Sequence, residues 1–183
     1  MQYYGSKEMA ASFRTVRNNT IAVAEEIPED KYGFRATPEN RTVAETLVHI
    51  ARYCEGAEKI HKELHLSTLE GYDFMSFWMP ILTDEKTPRS KAQIVEMLRT
   101  SGDRFAGWLE SLSDGYLAER VEMPSMMPGP RSKTRFEMLL SVKEHEMHHR
   151  GQLMVLQRMT GGVPPLTRAM QERMAQMAAA AKK

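Results

Sequence analysis

The chain has 183 residues, 42% of them hydrophobic and 27% charged, the length and balance of one folded domain over residues 1–183 rather than of a disordered segment. Its 25 basic residues against 24 acidic ones give a formal net charge of +1, with no basic stripe, so composition argues against a nucleic-acid surface. No apolar run is long enough to cross a bilayer, the first residues have no apolar core of a signal peptide, and Cys54 stands alone, so a cytoplasmic protein without an internal disulfide is expected.

Helical periodicity governs the elements in chain order. Met9, Phe13, Val16, Thr20, Val23 and Ile27 recur at spacings of four and three, one face of a first helix that Pro28 closes. The second helix opens on Thr42-Val43-Ala44-Glu45, a capping box in which hydroxyl and carboxylate satisfy backbone N–H groups reciprocally. Its expected apolar stripe is Val43, Leu47, Ile50, Cys54, Ala57 and Leu64. Residues 66–87, with Gly71 and Pro80, read as a long connection of the kind that crosses over a bundle end or carries function. A second box, Ser90 to Gln93, starts the third helix, with Ile94, Leu98, Ser101, Phe105, Trp108 and Leu112 on one face. An irregular stretch with Pro124, Pro128 and Pro130 follows. The third box, Thr134 to Glu137, opens a fourth helix that runs to Gly161-Gly162, and Pro164-Pro165 leads into a short Ala/Met-rich terminal helix. No sustained period-two pattern marks a strand. The expectation is an all-α four-helix bundle with crossover connections and a short C-terminal helix.

The most informative residues are histidines. His145 and His149, four apart, share one helical face and break an apolar stripe formed with Met138, Val142 and Leu156. Two imidazoles so placed can chelate one ion, and burying them without a partner would cost free energy. Two core histidines hydrogen-bonded to carbonyls or carboxylates are the plainer alternative. His49 sits on the flank of the second helix's stripe, where it can still face inward. His148 lies off the ligand line. His61 and His65 repeat the spacing of four in a polar stretch and read as a solvated helix end rather than a second site. Gln152, one turn beyond the pair, is a candidate helper or substrate contact, with a core hydrogen-bonding role as the alternative. Arg150 reads as a helix or dimer contact. Glu146 reads as an exposed residue and Cys54 as a small buried one. The fifteen methionines suit core filling better than copper binding.

Taken together, the run from Tyr32 to Ala51, with Thr37-Pro38-Glu39-Asn40-Arg41 and His49, resembles the N-terminal signature of the DinB-like superfamily, and His145-Glu146-Met147-His148-His149-Arg150-Gly151-Gln152-Leu153 resembles its second signature. Gly161-Gly162-Val163-Pro164-Pro165 is similar to the family's usual ending, so the resemblance spans residues 13–165. It implies an up-down-down-up bundle, often a homodimer, and a divalent-metal triad on His49, His145 and His149. Zinc or nickel suits imidazole donors best, with iron, manganese or cobalt as alternatives. The activity implied is transfer of a low-molecular-weight thiol, such as bacillithiol or mycothiol, to a small electrophilic substrate. One branch isomerises maleylpyruvate with mycothiol, and many members have no assigned reaction.

Three further readings stay open. The residues could support hydrolysis of a small substrate by a water at the ion, or a non-catalytic metal-binding scaffold. An ion held by three imidazoles keeps open positions, whereas structural zinc sites are normally closed by four protein ligands. His145-Glu146-Met147-His148-His149 also fits the H-E-x-x-H protease pattern, with Glu146 as general base, but no histidine follows His149 to complete it.

Overall fold

The computed structural model describes residues 4–181. Four long helices form the bundle: α1 (Ser6–Glu26), α2 (Val43–Ala57), α4 (Lys91–Glu110) and α6 (Arg135–Met159). Between them lie α3 (Phe74–Asp84) and the one-turn α5 (Asp114–Ala118), and α7 (Pro165–Ala180) follows. Among the described residues no helix is long and apolar enough to cross a membrane.

Two core clusters fix the directions of the helices. At one end Ile21, Val23 and Ala24 of α1 and Ile27 just after it meet Leu47 and Ile50 in α2, Ile94 and Leu98 early in α4, and Leu153 and Leu156 late in α6. At the other end Met9 and Phe13 pack with Cys54, Phe105, Leu109, Leu139 and Val142. Helix α1 therefore runs up, α2 and α4 down and α6 up. Contacts join α1 to α4 and α6, and α2 to the same two helices, so each packs beside two neighbours. All six residues of the expected α1 stripe are buried. The Thr42, Ser90 and Thr134 boxes cap α2, α4 and α6 with both reciprocal bonds. Gly161, at φ +87°, takes the left-handed conformation that closes α6, and Gly162 N–H returns to the Gln157 carbonyl at 2.9 Å.

Because α2 and α4 run parallel, the chain must travel back along the bundle between them. The stretch expected as an irregular connection carries α3 for part of that return, with Asp73 capping it through Ser76 N–H and Pro80 inside. A second correction concerns strands. Arg120–Glu122 (β1) pairs antiparallel with Ser132–Thr134 (β2), in the register Val121 opposite Lys133. Three residues are too few to display an alternating pattern, although Val121 is fully buried between two exposed neighbours.

A third correction follows from local winding. After Ala57 the second helix continues as a π-turn over Glu58–Glu63. The i→i+5 winding shifts later side chains from their α-helical angles. Leu64, expected in the stripe, is turned out and 44% exposed. His61, expected in solvent because its neighbours are polar, is 2% exposed, since seven residues after Cys54 it lies on the stripe's own face.

Candidate metal centre

His49 lies on the second turn of α2, whose start is set by Thr42 accepting from Glu45 N–H at 3.1 Å while Glu45 accepts from Thr42 N–H at 2.7 Å. His145 and His149 lie on successive turns of α6, the antiparallel neighbour. The three side chains converge: His145 Nε2 is 3.2 Å from His49 Nε2 and 3.1 Å from His149 Nε2, and one donor atom from each lies within 4.8 Å of the others. His49 and His149 are buried and His145 is half-buried.

The outer nitrogens determine what the inner ones offer. His49 Nδ1–H donates to Glu85 Oε1 at 2.6 Å, and a carboxylate can only accept, so the neutral His49 ring carries its lone pair on Nε2. His149 Nδ1–H donates to Gln152 Oε1 at 2.7 Å, and the Gln152 amide donates to His148 Nε2 at 3.1 Å. His149 Nε2 therefore also presents a lone pair. Both face His145 Nε2, which can donate one proton to one of them at most. A neutral arrangement leaves donor atoms unsatisfied in a buried space, and a cation satisfies all three, so these residues fit a divalent ion. His145 Nδ1 is buried and has no hydrogen-bond partner among the described residues, and the ring lies flat on Tyr53 with centroids 3.3 Å apart. Burial, reinforced by the neighbouring imidazoles, pushes the His145 pKa down to about 3. Burial likewise takes His149 down to about 4, against the opposing bond to Gln152. Both rings are thus neutral and available as donors near pH 7.

Glu85 was not among the residues singled out from sequence. It caps the C-terminal end of α3 and is 6% exposed. Burial works to raise its pKa, but bonds from His49 and Arg41 outweigh that and hold the carboxyl below its ordinary value. Arg41 Nε donates to its other oxygen at 2.7 Å. The preceding Asp84 pairs with Arg52 of α2 and, at 2.5 Å, with Arg89, which fastens the end of α3 against α2. Nothing in the spacing signals this, because Glu85 lies 36 positions from His49 and meets it only through the return of the crossover.

Glu146 is a further correction: it is 2% exposed rather than solvated. Arg17 Nε donates to its two oxygens at 3.0 and 3.1 Å. The same guanidinium donates to the Leu98 carbonyl at 2.7 Å, to Ser101 Oγ at 2.8 Å and to the Ile50 carbonyl at 3.4 Å, so one cluster ties all four bundle helices together. A Cβ at Gly102 would stand 2.7 Å from Arg17 Cγ, so only glycine leaves room for this side chain. With its carboxylate committed to Arg17, Glu146 is not free to act as the base of a protease site. Arg150 reaches the Val16 carbonyl on α1 at 3.4 Å, a helix contact. Cys54 is buried, and burial pushes its thiol up to about 11, which keeps it protonated and unreactive. His65 is exposed and bonded to Glu119 at 2.8 Å.

Comparison with known proteins agrees with this architecture. The family model described as the DinB superfamily matches residues 12–153. The uncharacterized protein YjoA of Bacillus subtilis (strain 168) is 23% identical over 156 residues, which cover 85% of this chain and 91% of YjoA. The crystal structure of YjoA, a DinB-like protein, superposes with a TM-score of 0.61 at 21% identity, over 85% of this chain and 94% of that one. YfiT of B. subtilis, described as a probable metal-dependent hydrolase with an unusual four-helix bundle topology, gives a TM-score of 0.67 at 16% identity, over 88% and 91% of the two chains.

Proposed function

The chain belongs to the DinB superfamily, and from that membership together with the convergence of His49, His145 and His149 we propose that it is a metal-dependent enzyme acting on a small molecule. The observation that carries the reading is the meeting of three imidazole Nε2 atoms from two helices, two of which carry lone pairs when their rings are neutral, because the outer nitrogens donate to Glu85 and Gln152. A divalent cation, when bound there, supplies positive charge that lowers the pKa of a thiol or water beside it. The protein's own groups arrange that chemistry. Glu85 orients the His49 ring and fixes its proton on Nδ1, Gln152 does the same for His149, and Tyr53 braces the face of His145. Arg41, bonded to Glu85, keeps that carboxylate ionised. Zinc and nickel suit this nitrogen donor set best.

The first reading of the reaction is transfer of a low-molecular-weight thiol to a small electrophile, supported by the resemblance to family members that use such thiols. The second is hydrolysis of a small substrate, favoured by the likeness to YfiT, which is described as a probable metal-dependent hydrolase. Near-zero net charge favours a small-molecule substrate over nucleic acid. Homodimerisation, which the family resemblance implies, is a proposal to be checked by light scattering.

Metal analysis of protein purified without a histidine tag tests the site. About one ion per chain is expected. His145→Ala and His149→Ala should remove it, and His49→Ala should weaken or remove it. Unmutated protein that takes up neither zinc nor nickel would defeat the proposal. With metal bound, a panel of small thiols and electrophiles decides between the two reactions: turnover that requires added thiol supports transfer, and ester or amide cleavage without thiol supports hydrolysis.

A further inference from the structure

A cavity of about 240 Å³ lies beside the metal centre, between the end of α2, α3, the β-hairpin and the start of α6. At about 30 Å³ per water it has room for roughly eight waters, the size of a small organic molecule. Tyr53, Phe74, Phe77 and Trp78 line it. Gly56 permits this wall, because a Cβ there would stand 3.0 Å from the Trp78 ring. Tyr53 connects cavity and centre: Trp78 stacks on it at 5.4 Å, and His145 lies on it at 3.3 Å.

Two polar groups stand out in this aromatic lining. Arg135 donates to His61 Nδ1 at 2.9 Å, and a guanidinium cannot accept, so the His61 proton sits on Nε2. His61 is 2% exposed and lines the cavity, and with Nδ1 taken by Arg135 its Nε2–H is the ring's remaining donor. Lys133, from β2, also lines the cavity, and its charge acts on the Glu137 carboxylate of α6, which does not line it. No carboxylate lines the space to neutralise these donors.

The geometry points to a substrate pocket for small aromatic monoanions, the ring held by Tyr53, Phe74, Phe77 and Trp78 and the carboxylate taken by Lys133 and the His61 Nε2–H. The inference rests on the proposed enzymatic reading for its functional meaning, but the binding itself does not require the ion. Stacking between aromatic rings supplies contact area with preferred geometry, and a charge-assisted bond in a partly dry site supplies selectivity for the anion.

Calorimetric titration with benzoate and with benzyl alcohol, on both metal-free and zinc-loaded protein, tests this. Benzoate should bind at least about ten-fold more tightly than the neutral alcohol, the worth of one charge-assisted hydrogen bond, and should shift the Trp78 indole resonance in NMR spectra. Lys133→Met should abolish that preference while leaving the alcohol's affinity unchanged. Equal affinities in unmutated protein, no binding of either compound, or a benzoate shift that spares Trp78 would overturn the inference. Protein that takes up zinc but shows one of these results loses the pocket alone. Protein that binds benzoate as expected but takes up neither zinc nor nickel loses the metal-centre reading alone.

Discussion

Glu85 holds His49 by its Nδ1 at 2.6 Å, and the carboxylate comes from the far end of the crossover rather than from either helix that carries the histidines. This contact fixes the tautomer and aim of the neutral ring, and it makes the crossover part of the candidate metal centre. Removing such an outer partner typically costs 10–100-fold in metal affinity. Glu85→Gln should therefore lower zinc affinity by about that factor, measured by competition with a chromophoric chelator, while the far-ultraviolet circular dichroism stays unchanged. Unaltered affinity would show that His49 needs no orientation by the crossover.

The Arg17–Glu146 pair lies inside the bundle, with side chains 4% and 3% exposed. Removing one partner strands the other charge, so Glu146→Ala should destabilise the protein by about 3–5 kcal/mol. Replacing both with apolar residues, Arg17→Met with Glu146→Leu, should recover most of that loss, because no unpaired charge then remains. Urea denaturation of Arg17→Met, Glu146→Leu and the double variant reads the coupling directly.

Gly102→Ala probes the same cluster from α4. The added Cβ meets the Arg17 stem at 2.7 Å, well inside contact distance, and the stem is anchored by the bonds its guanidinium makes to three helices. An overpacking loss of about 1–3 kcal/mol is expected. In an exposed helix the same change would gain up to about 1 kcal/mol from propensity, so the sign of the shift in the urea midpoint separates the two effects.

Acid should weaken the fold of the metal-free protein before most carboxylates titrate. Burial, followed by the nearby Arg135, takes His61 down to about 4 from an ordinary 6.5, and burial takes His145 to about 3 and His149 to about 4. The unfolded chain thus binds more protons than the folded one between these values. Stability from these neutral rings is fully present above about pH 6.5 and falls as pH drops through 4. Urea midpoints measured from pH 7 down to 4.5 should decline, and His61→Gln should remove one imidazole's share of that slope. A slope that His61→Gln leaves intact would mean that the ring already titrates normally in the native state.

Much of the scaffold is legible in the residue pattern because helical periodicity, capping and termination are local. Thr42, Ser90 and Thr134 each sit three positions before the Glu or Gln that completes their caps, and all three helices begin there. The α1 stripe is buried throughout, and Gly161 ends α6 where a left-handed residue is needed. The His145/His149 pair is visible for the same reason, as two side chains one turn apart. His61, Leu64 and Glu146 depart from expectation for separate reasons. His61, seven residues after Cys54, stands on the stripe's own face despite its polar neighbours, the π-turn turns Leu64 outward, and Arg17, 129 residues away, draws in Glu146.

The sequence alone determined where the four bundle helices and the terminal helix wind, though not α3, and which histidines share a face, since these follow from torsional preference and a repeat of 3.6 residues. Tertiary structure alone decided that His49 would meet that pair, that Glu85 would aim it, and that an aromatic cavity would form behind Tyr53. These contacts join elements far apart in the chain, and no local periodicity encodes a distance that only the packing of α2 against α6, and the return of the crossover, can close.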